Sequence, residues 1–224
     1  MTYVFQFGLV WEHWPRLLQG AWQTIQLSLA AFAIGLVLAI ACAAAQMAAP
    51  RWVRGLVTAY VELIRNTPLL MQLFVLYFSL PGLGIRLDAN EAALAGMAIN
   101  FGGYGTEIIR AGVEAIPRGQ IEAGRALGLS SLRIFRKIVL FQAIGIAWPA
   151  LSSQFVLLLL GSSIVSAISA EELTAITNTL QSTTFRAFEF YFVATAMYLA
   201  MALACRGLLD GLFWLIFVRG RPAR

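Results

Sequence analysis

Five long apolar runs separated by short polar clusters set the pattern of the chain. The first covers residues 17–49 and closes on Pro50, Arg51 and Arg54. The second covers residues 53–80, is interrupted in its first half by polar residues 62–68, and ends at Pro81-Gly82-Leu83-Gly84. The third, residues 91–115, carries Gly102-Gly103-Tyr104-Gly105 in its middle and is stopped by Pro117 and Gly119. The fourth, residues 138–168, contains Trp148-Pro149, and the fifth covers residues 190–218. At ~1.5 Å per helical residue and ~20 residues per crossing, each run is long enough to span a bilayer. The pattern predicts an all-α membrane protein of about five transmembrane helices, with residues 1–224 forming a single transmembrane domain.

Composition supports this. The chain is 60% hydrophobic and 12% charged, about half the charge of an ordinary soluble domain. Its net charge of +5 would suggest nucleic-acid binding in a soluble protein. Here the arginines cluster between the apolar runs, so membrane lipid is the expected partner and nucleic acid is not. Cys42 and Cys205 lie inside apolar runs and read as small hydrophobic residues. His13 is the only histidine, which excludes a cage of several histidines around a metal. No cleavable signal peptide is expected, because the first apolar run is too long for one.

The charges between runs alternate in sign. Arg51 and Arg54 follow the first run; Arg86, Asp88 and Glu91 sum to −1 after the second. Residues 110–137 carry six basic and two acidic groups, and Glu171, Glu172, Arg186 and Glu189 sum to −2. Arg219, Arg221 and Arg224 form the tail. The positive-inside rule then places the N-terminus outside, the C-terminus in the cytoplasm, and the 110–137 stretch in the cytoplasm. Five spans do not divide into equal halves, which weighs against a repeat-built secondary transporter.

That cytoplasmic stretch has local order of its own. Residues 120–127 are good helix formers, with Pro117 and Gly119 before them and Gly128 at the expected C-terminal end. Ser130 or Ser131 suits the N-cap of the next helix. Ala123 and Ala126 share a small-residue face, and Glu122 and Arg125 form an i,i+3 pair beside it. The spacing gives a short helix outside the membrane with a glycine-defined end. An ordinary interfacial linker would look the same.

Catalytic chemistry lacks its parts. There is no Ser–His dyad beyond His13, no His/Glu metal motif, and no paired aspartates, since Asp88 and Asp210 sit near opposite membrane faces. No G-x-x-x-x-G-K-[ST] phosphate loop is present, and Lys137 is the only lysine. The chain is expected to have no catalytic residues, no metal site and no cofactor.

Charges within the spans are candidates for function. Glu62 and Arg65 are three apart and can pair on one face; Asn66, Thr67 and Pro68 follow. This group suits a gate or scaffold beside a path, or a helix-packing pair near the interface. Glu107 and Arg110 repeat the spacing on the third span, one turn from Tyr104. Trp11, Trp14, Trp22 and Trp214 read as interfacial anchors.

Four separated motifs resemble one family. Glu122-Ala123-Gly124, then Gly128 and Ile138-Val139-Leu140-Phe141, is similar to the EAA loop of ABC-importer permeases. Glu62-Leu63-Ile64-Arg65-Asn66-Thr67-Pro68-Leu69-Leu70 and Tyr104-Gly105-Thr106-Glu107-Ile108-Ile109-Arg110 resemble hallmarks of its polar amino acid branch. Glu171-Glu172-Leu173-Thr174 followed by Gln181-Ser182-Thr183-Thr184-Phe185-Arg186 is also similar. The resemblance implies a type I importer permease fold in the bacterial cytoplasmic (inner) membrane. It implies a second identical or homologous permease subunit, ABC ATPase subunits that bind ATP and magnesium, and an extracytoplasmic amino-acid-binding protein. It makes residues 116–137 the coupling loop, with Gln120, Glu122, Ala123, Arg125 and Gly128 meeting the ATPase. It makes Tyr104, Glu107, Gly161, Ser162 and Ser163 candidates for the substrate path, although each also has a plain packing role open to it.

Two departures concern the loop. Gly124 stands where the family has alanine, which would loosen the helix by ~1 kcal/mol, and Phe141 replaces a proline, which would straighten the entry to span four. A third lies on span four, where Leu160 and Gly161 replace a Lys-Asp pair. The substrate is then not cationic, or a homologous partner carries the charged site.

Overall fold

The computed structural model describes residues 4–219, and every regular element among them is helical. A single turn, α1 (Gly8–Glu12), leads into α2 (Trp14–Ala48), which starts with Pro15 in its first turn, where a missing N–H is harmless. Pro50 stands at the N-cap of α3 (Arg51–Arg65) with extended backbone. After three residues α4 (Leu69–Phe74) runs through a π turn, Val75–Ser79, into a 3₁₀ turn, Leu80–Leu83. Next come α5 (Ala89–Glu114), α6 (Arg118–Ala126) and α7 (Ser131–Ile134). A second π turn, Phe135–Val139, joins α7 to α8 (Leu140–Gly161), which tightens into a 3₁₀ segment, Ser162–Ile168. The chain closes with α9 (Leu173–Thr184) and α10 (Ala187–Phe213), prolonged by a π turn, Trp214–Val218.

Among the described residues three helical stretches are long and apolar enough to cross a membrane: Trp14–Ala48, Ser131–Ile168 and Ala187–Val218. A fourth exists if Arg51–Arg65 and Leu69–Leu83, bent by 109°, count as one span. The pattern predicted about five. The difference lies in α5, which has the length of a span but not the apolarity. It is the central helix, packed by α2, α3 and α8, and twelve of its 26 residues are buried. A helix shielded by protein does not need a lipid-facing surface, and it can carry glycines and charges. Its close packing is visible at Gly112, where an added Cβ would lie 2.5 Å from the Ala143 carbonyl oxygen. Asp88 and Glu91, read above as loop charges, form a reciprocal capping box at the start of α5.

The second run is not one straight helix. Pro68 cannot donate to the ladder, so the chain turns at residues 66–68. Side chains then satisfy the freed carbonyls: Thr67 Oγ1 donates to Leu63 O at 2.7 Å, and Gln72 Nε2 to Ile64 O at 2.9 Å. The absence of a proline at Phe141 does not give a plain α-helical entry to the fourth span either, since the π turn Phe135–Val139 precedes it. Phe141 itself rests on Phe217, with ring centroids 4.8 Å apart.

Two apolar cores fill the bundle. One joins α2, α5 and α8 around Phe101; the other joins α2, α8, α9 and α10 around Phe155 and Phe190. Phe32 links them, edge-on to Phe101 at 4.9 Å and to Phe155 at 5.0 Å. Of the tail arginines, Arg221 and Arg224 lie outside the described residues.

Candidate functional site

The short helix predicted between the third and fourth runs is α6, starting two residues earlier than its composition suggested, at Arg118 behind Pro117. Gly128 ends it with φ 74°. Gly128 N donates to Arg125 O at 2.9 Å and Leu129 N to Gly124 O at 3.1 Å, the paired bonds of a Schellman end. Only glycine takes that backbone without strain.

The face that α6 turns to the bundle is glycine too. Gly124 is buried, and an added Cβ would meet Ile134 Cγ1 and Ile138 Cδ1 at 3.0 Å. The expected loosening at Gly124 therefore comes with a seat: the missing methyl lets α6 lie close on the α7–α8 entry. Gln142 Nε2 donates to Gln120 Oε1 at 2.8 Å and adds a polar tie. Glu122, Ala123, Arg125 and Ala126 are exposed, and so is Leu127 at the tip, at 79%. The expected Glu122–Arg125 ion pair does not form, which leaves both charges facing outward. Ser130 takes the N-cap position of α7, without a side-chain cap bond.

A second polar locus lies where α3 breaks. Glu62 and Arg65 do not pair. Glu62 accepts from Asn66 Nδ2 at 2.9 Å, while Arg65 reaches across to α5, Nη1 to Glu107 Oε2 at 3.6 Å. Glu107 is also held by Arg110, Nε to both oxygens at 3.1 Å and Nη2 to Oε2 at 2.9 Å. Arg110 in turn bonds Glu114. One carboxylate thus sits between two guanidiniums, and the Arg65 guanidinium lies 5.9 Å from the Tyr104 ring centroid.

Two residues of this locus are absent from the sequence reading. Gln72 Nε2 donates to Ile64 O at 2.9 Å and Thr67 Oγ1 at 2.9 Å, and Asn100 Nδ2 donates to Gln72 Oε1 at 3.0 Å. Asn100, Tyr104 and Glu107 stand at i, i+4 and i+7, one polar stripe on α5 facing the break. That spacing was the available signal. Inside the elbow is an apolar groove of ≈ 270 Å³ lined by Leu63, Thr67, Met71, Gln72 and Gly96.

The candidates for the substrate path lie on two elements, Tyr104 and Glu107 on α5, and Gly161, Ser162 and Ser163 where α8 passes into its 3₁₀ segment. Gly112 of α5 touches Ala143 of α8. Ser162 is buried and donates to Leu159 O at 2.7 Å; Ser163 donates to Leu160 O at 2.9 Å. Gly161 has open space where a Cβ would be.

Glu171 and Glu172, counted above among the charges between runs, lead into a helix, α9, that packs on α2 and α10. Glu172 is fully buried at its N-cap, accepts from Ala175 N at 2.7 Å, and accepts the hydroxyl of Tyr198 on α10. Thr24 of α2 accepts Leu173 N at 3.1 Å. Glu172 therefore cannot meet a partner, while Glu171 is exposed and accepts from Gln23 Nε2 at 3.1 Å. Phe185 ends α9 with φ 56° and is 87% exposed. Among the described residues no group of three or more His, Cys, Asp or Glu could hold a metal ion.

Comparison with known proteins bears on these features. A family model described as a binding-protein-dependent transport system inner membrane component matches residues 32–213. The L-cystine transport system permease protein TcyB of Bacillus subtilis is 37% identical over 160 residues, 71% of this chain and 68% of the relative. The octopine transport system permease protein OccM of Rhizobium meliloti is 34% identical over 96% of this chain and 91% of its own length. Among solved structures, an amino acid ABC transporter crystallised with histidines superposes with a TM-score of 0.85 at 34% identity, covering 94% of this chain and 99% of that one. The MetNI methionine ABC transporter, at 19% identity and a TM-score of 0.76, shares the fold.

Proposed function

The chain belongs to the family of inner membrane components of binding-protein-dependent transport systems, and from that premise we propose that it is the permease subunit of an ATP-driven amino acid importer. Members of the family are transport components rather than enzymes, in line with the missing catalytic groups. The relatives named for cystine and octopine, and the transporter crystallised with histidines, support amino acids as the substrate class.

The observation that carries the reading is α6. It stands off the long helices, ends on Gly128, seats Gly124 on the α7–α8 entry, and leaves Glu122, Ala123, Arg125, Ala126 and Leu127 outward. Such a helix can be gripped by ATPase subunits and pass their motion into α8. In this reading residues 116–137 are the coupling loop of a single permease domain. ATP and magnesium sit on the ATPase subunits, a second permease copy, identical or homologous, completes the path, and an extracytoplasmic binding protein delivers substrate.

Five spans follow if the bent pair and α5 are each counted as one. The charge alternation then sets the N-terminus outside and the C-terminus in the cytoplasm. The ion pairs of Glu107 support a gating or structural role for Arg65, Tyr104, Glu107 and the turn Asn66-Thr67-Pro68, rather than direct substrate contact. Gly161, Ser162 and Ser163 remain substrate-path candidates.

The test is uptake. Proteoliposomes holding the chain with its ATPase subunits, supplied with the binding protein, should accumulate labelled L-glutamine, L-arginine or L-cystine only when ATP is enclosed. Uptake by this chain alone, without ATP, would overturn the proposal in favour of a channel or secondary transporter.

A further inference from the structure

Arg206 and Asp210 stand four residues apart on α10 and have no part in the sites above. They lie in the C-terminal half of a candidate span, Asp210 towards its end, and both side chains are exposed. The stretch Ala187–Val218 has 32 residues, ~48 Å of helix against a hydrocarbon core of ~30 Å. Their neighbours Leu203 and Leu208 are exposed apolar residues. Charges in such surroundings are costly and point to a ligand, a partner or a path.

These two charges do not neutralise each other. No ion pair or hydrogen bond holds either side chain among the described residues, whereas the charges of α5 are all engaged. Both line a cavity of ≈ 350 Å³ between α8 and α10, with Pro149, Ser152 and Ser153 opposite. That is ample space for a small polar molecule.

Ser152 supplies an independent observation. It is 7% exposed, and its hydroxyl has no hydrogen-bond partner among the described residues. Other hydroxyls of the helical segments, on Thr106, Ser162, Ser163 and Thr177, bond a carbonyl of their own segment, and Ser28 on α2 shares the unpaired state of Ser152. A buried hydroxyl left unpaired costs roughly a hydrogen bond's desolvation unless something answers it. Here it lines the cavity that carries the two unpaired charges.

We infer that this cavity binds a small zwitterion, its oxyanion on Arg206, its ammonium on Asp210, and Ser152 as a third contact. A guanidinium and a carboxylate one helical turn apart match a molecule bearing both charges, and neither a simple anion nor a simple cation satisfies both. Two sources share this chemistry: a free amino acid, and the headgroup of phosphatidylethanolamine reached from the bilayer. The amino acid source rests on the transport reading above.

The experiment uses the complete transporter in nanodiscs of phosphatidylglycerol, a lipid without an ammonium group. One arm measures binding of tritiated L-glutamine without binding protein or ATP. The other adds phosphatidylethanolamine and measures, by native mass spectrometry, the lipid that stays bound. Wild type should hold one of the two probes. Arg206→Gln and Asp210→Asn should each weaken that occupancy about tenfold or more, and Ser152→Ala about threefold. Arg206→Lys, which keeps the charge, should retain most of it and shows that lost binding is not lost folding. Glutamine bound without added lipid identifies the amino acid source, and retained lipid identifies the headgroup. A wild type that holds neither probe, or Arg206→Gln and Asp210→Asn variants that bind as wild type does, would overturn the site. ATP-driven uptake measured on the same preparations separates that failure from failure of the transport reading.

Discussion

Two short helices flank α8, one at each end, and they are attached to the bundle in opposite ways. α9 is held by groups removed from water: the buried Glu172 carboxylate, the Tyr198 hydroxyl and Thr24. Gly20 of α2 lies so close that an added Cβ would sit 2.9 Å from Leu173 Cα. α6 is held by the Gly124 contact and the Gln120–Gln142 bond, while most of its surface faces out. Polar contacts in a low dielectric fix a position, because leaving one partner unpaired is costly. A glycine seat with an exposed outer face holds a helix in place and still offers it to another protein. The first arrangement makes a wall, the second a handle.

The contrast can be broken by substitution, most severely at α9. Glu172→Ala removes an N-cap and leaves Tyr198 and Ala175 N without their acceptor, so stability should fall by about 2–4 kcal/mol. Thermal unfolding followed by helical circular dichroism in detergent reads this directly, and an unchanged midpoint would refute the pin. Gly20→Val comes next, at about 1–3 kcal/mol by overpacking against Leu173, again read from the melting midpoint. At α6 the order of effects reverses. Gly124→Val should cost less than about 1 kcal/mol, because the helix can lift off into water. It should nonetheless lower substrate imported per ATP hydrolysed in proteoliposomes, and equal ratios would argue against a fixed seat. Smallest in stability is Glu122→Lys, within about 0.5 kcal/mol. Its effect should appear only as weaker co-purification of ATPase subunits, and full recovery of the complex would remove Glu122 from the contact.

The same contrast explains what was legible in the sequence. The end of α6 could be read because its signal is local: helix formers, then a glycine whose φ of 74° other residues resist. The long apolar runs could be read for the same reason. What escaped depends on partners distant in sequence. Residues 173–184 look like a polar loop until Glu172 is seen to bond Tyr198, 26 positions away. Glu62 and Arg65 have pairing distance in sequence, but Arg65 finds a better-placed carboxylate on α5 and Asn66 takes up Glu62. Asn100 and Gln72 passed unnoticed as single polar residues in apolar runs, although the stripe Asn100, Tyr104, Glu107 was visible as spacing. The bend at Pro68 could be located but not sized, because a proline marks a break without setting its angle. Among the predicted site residues, those of the loop fall together on α6 and its glycine end, and those of the substrate path fall on two elements.

The 109° corner between Arg51–Arg65 and Leu69–Leu83 has a mechanical consequence. Gln72 ties the two arms by bonding Ile64 O and Thr67 across the corner, so they turn as one piece. When such a piece pivots at its corner, each tip travels at right angles to its own arm, so the two tips move in different directions. With α3 as an arm of 15 residues, ~22 Å, a rotation of only ~5° carries its tip ~2 Å. The corner acts as a bell crank: a push along one direction at one end emerges as a sideways stroke at the other.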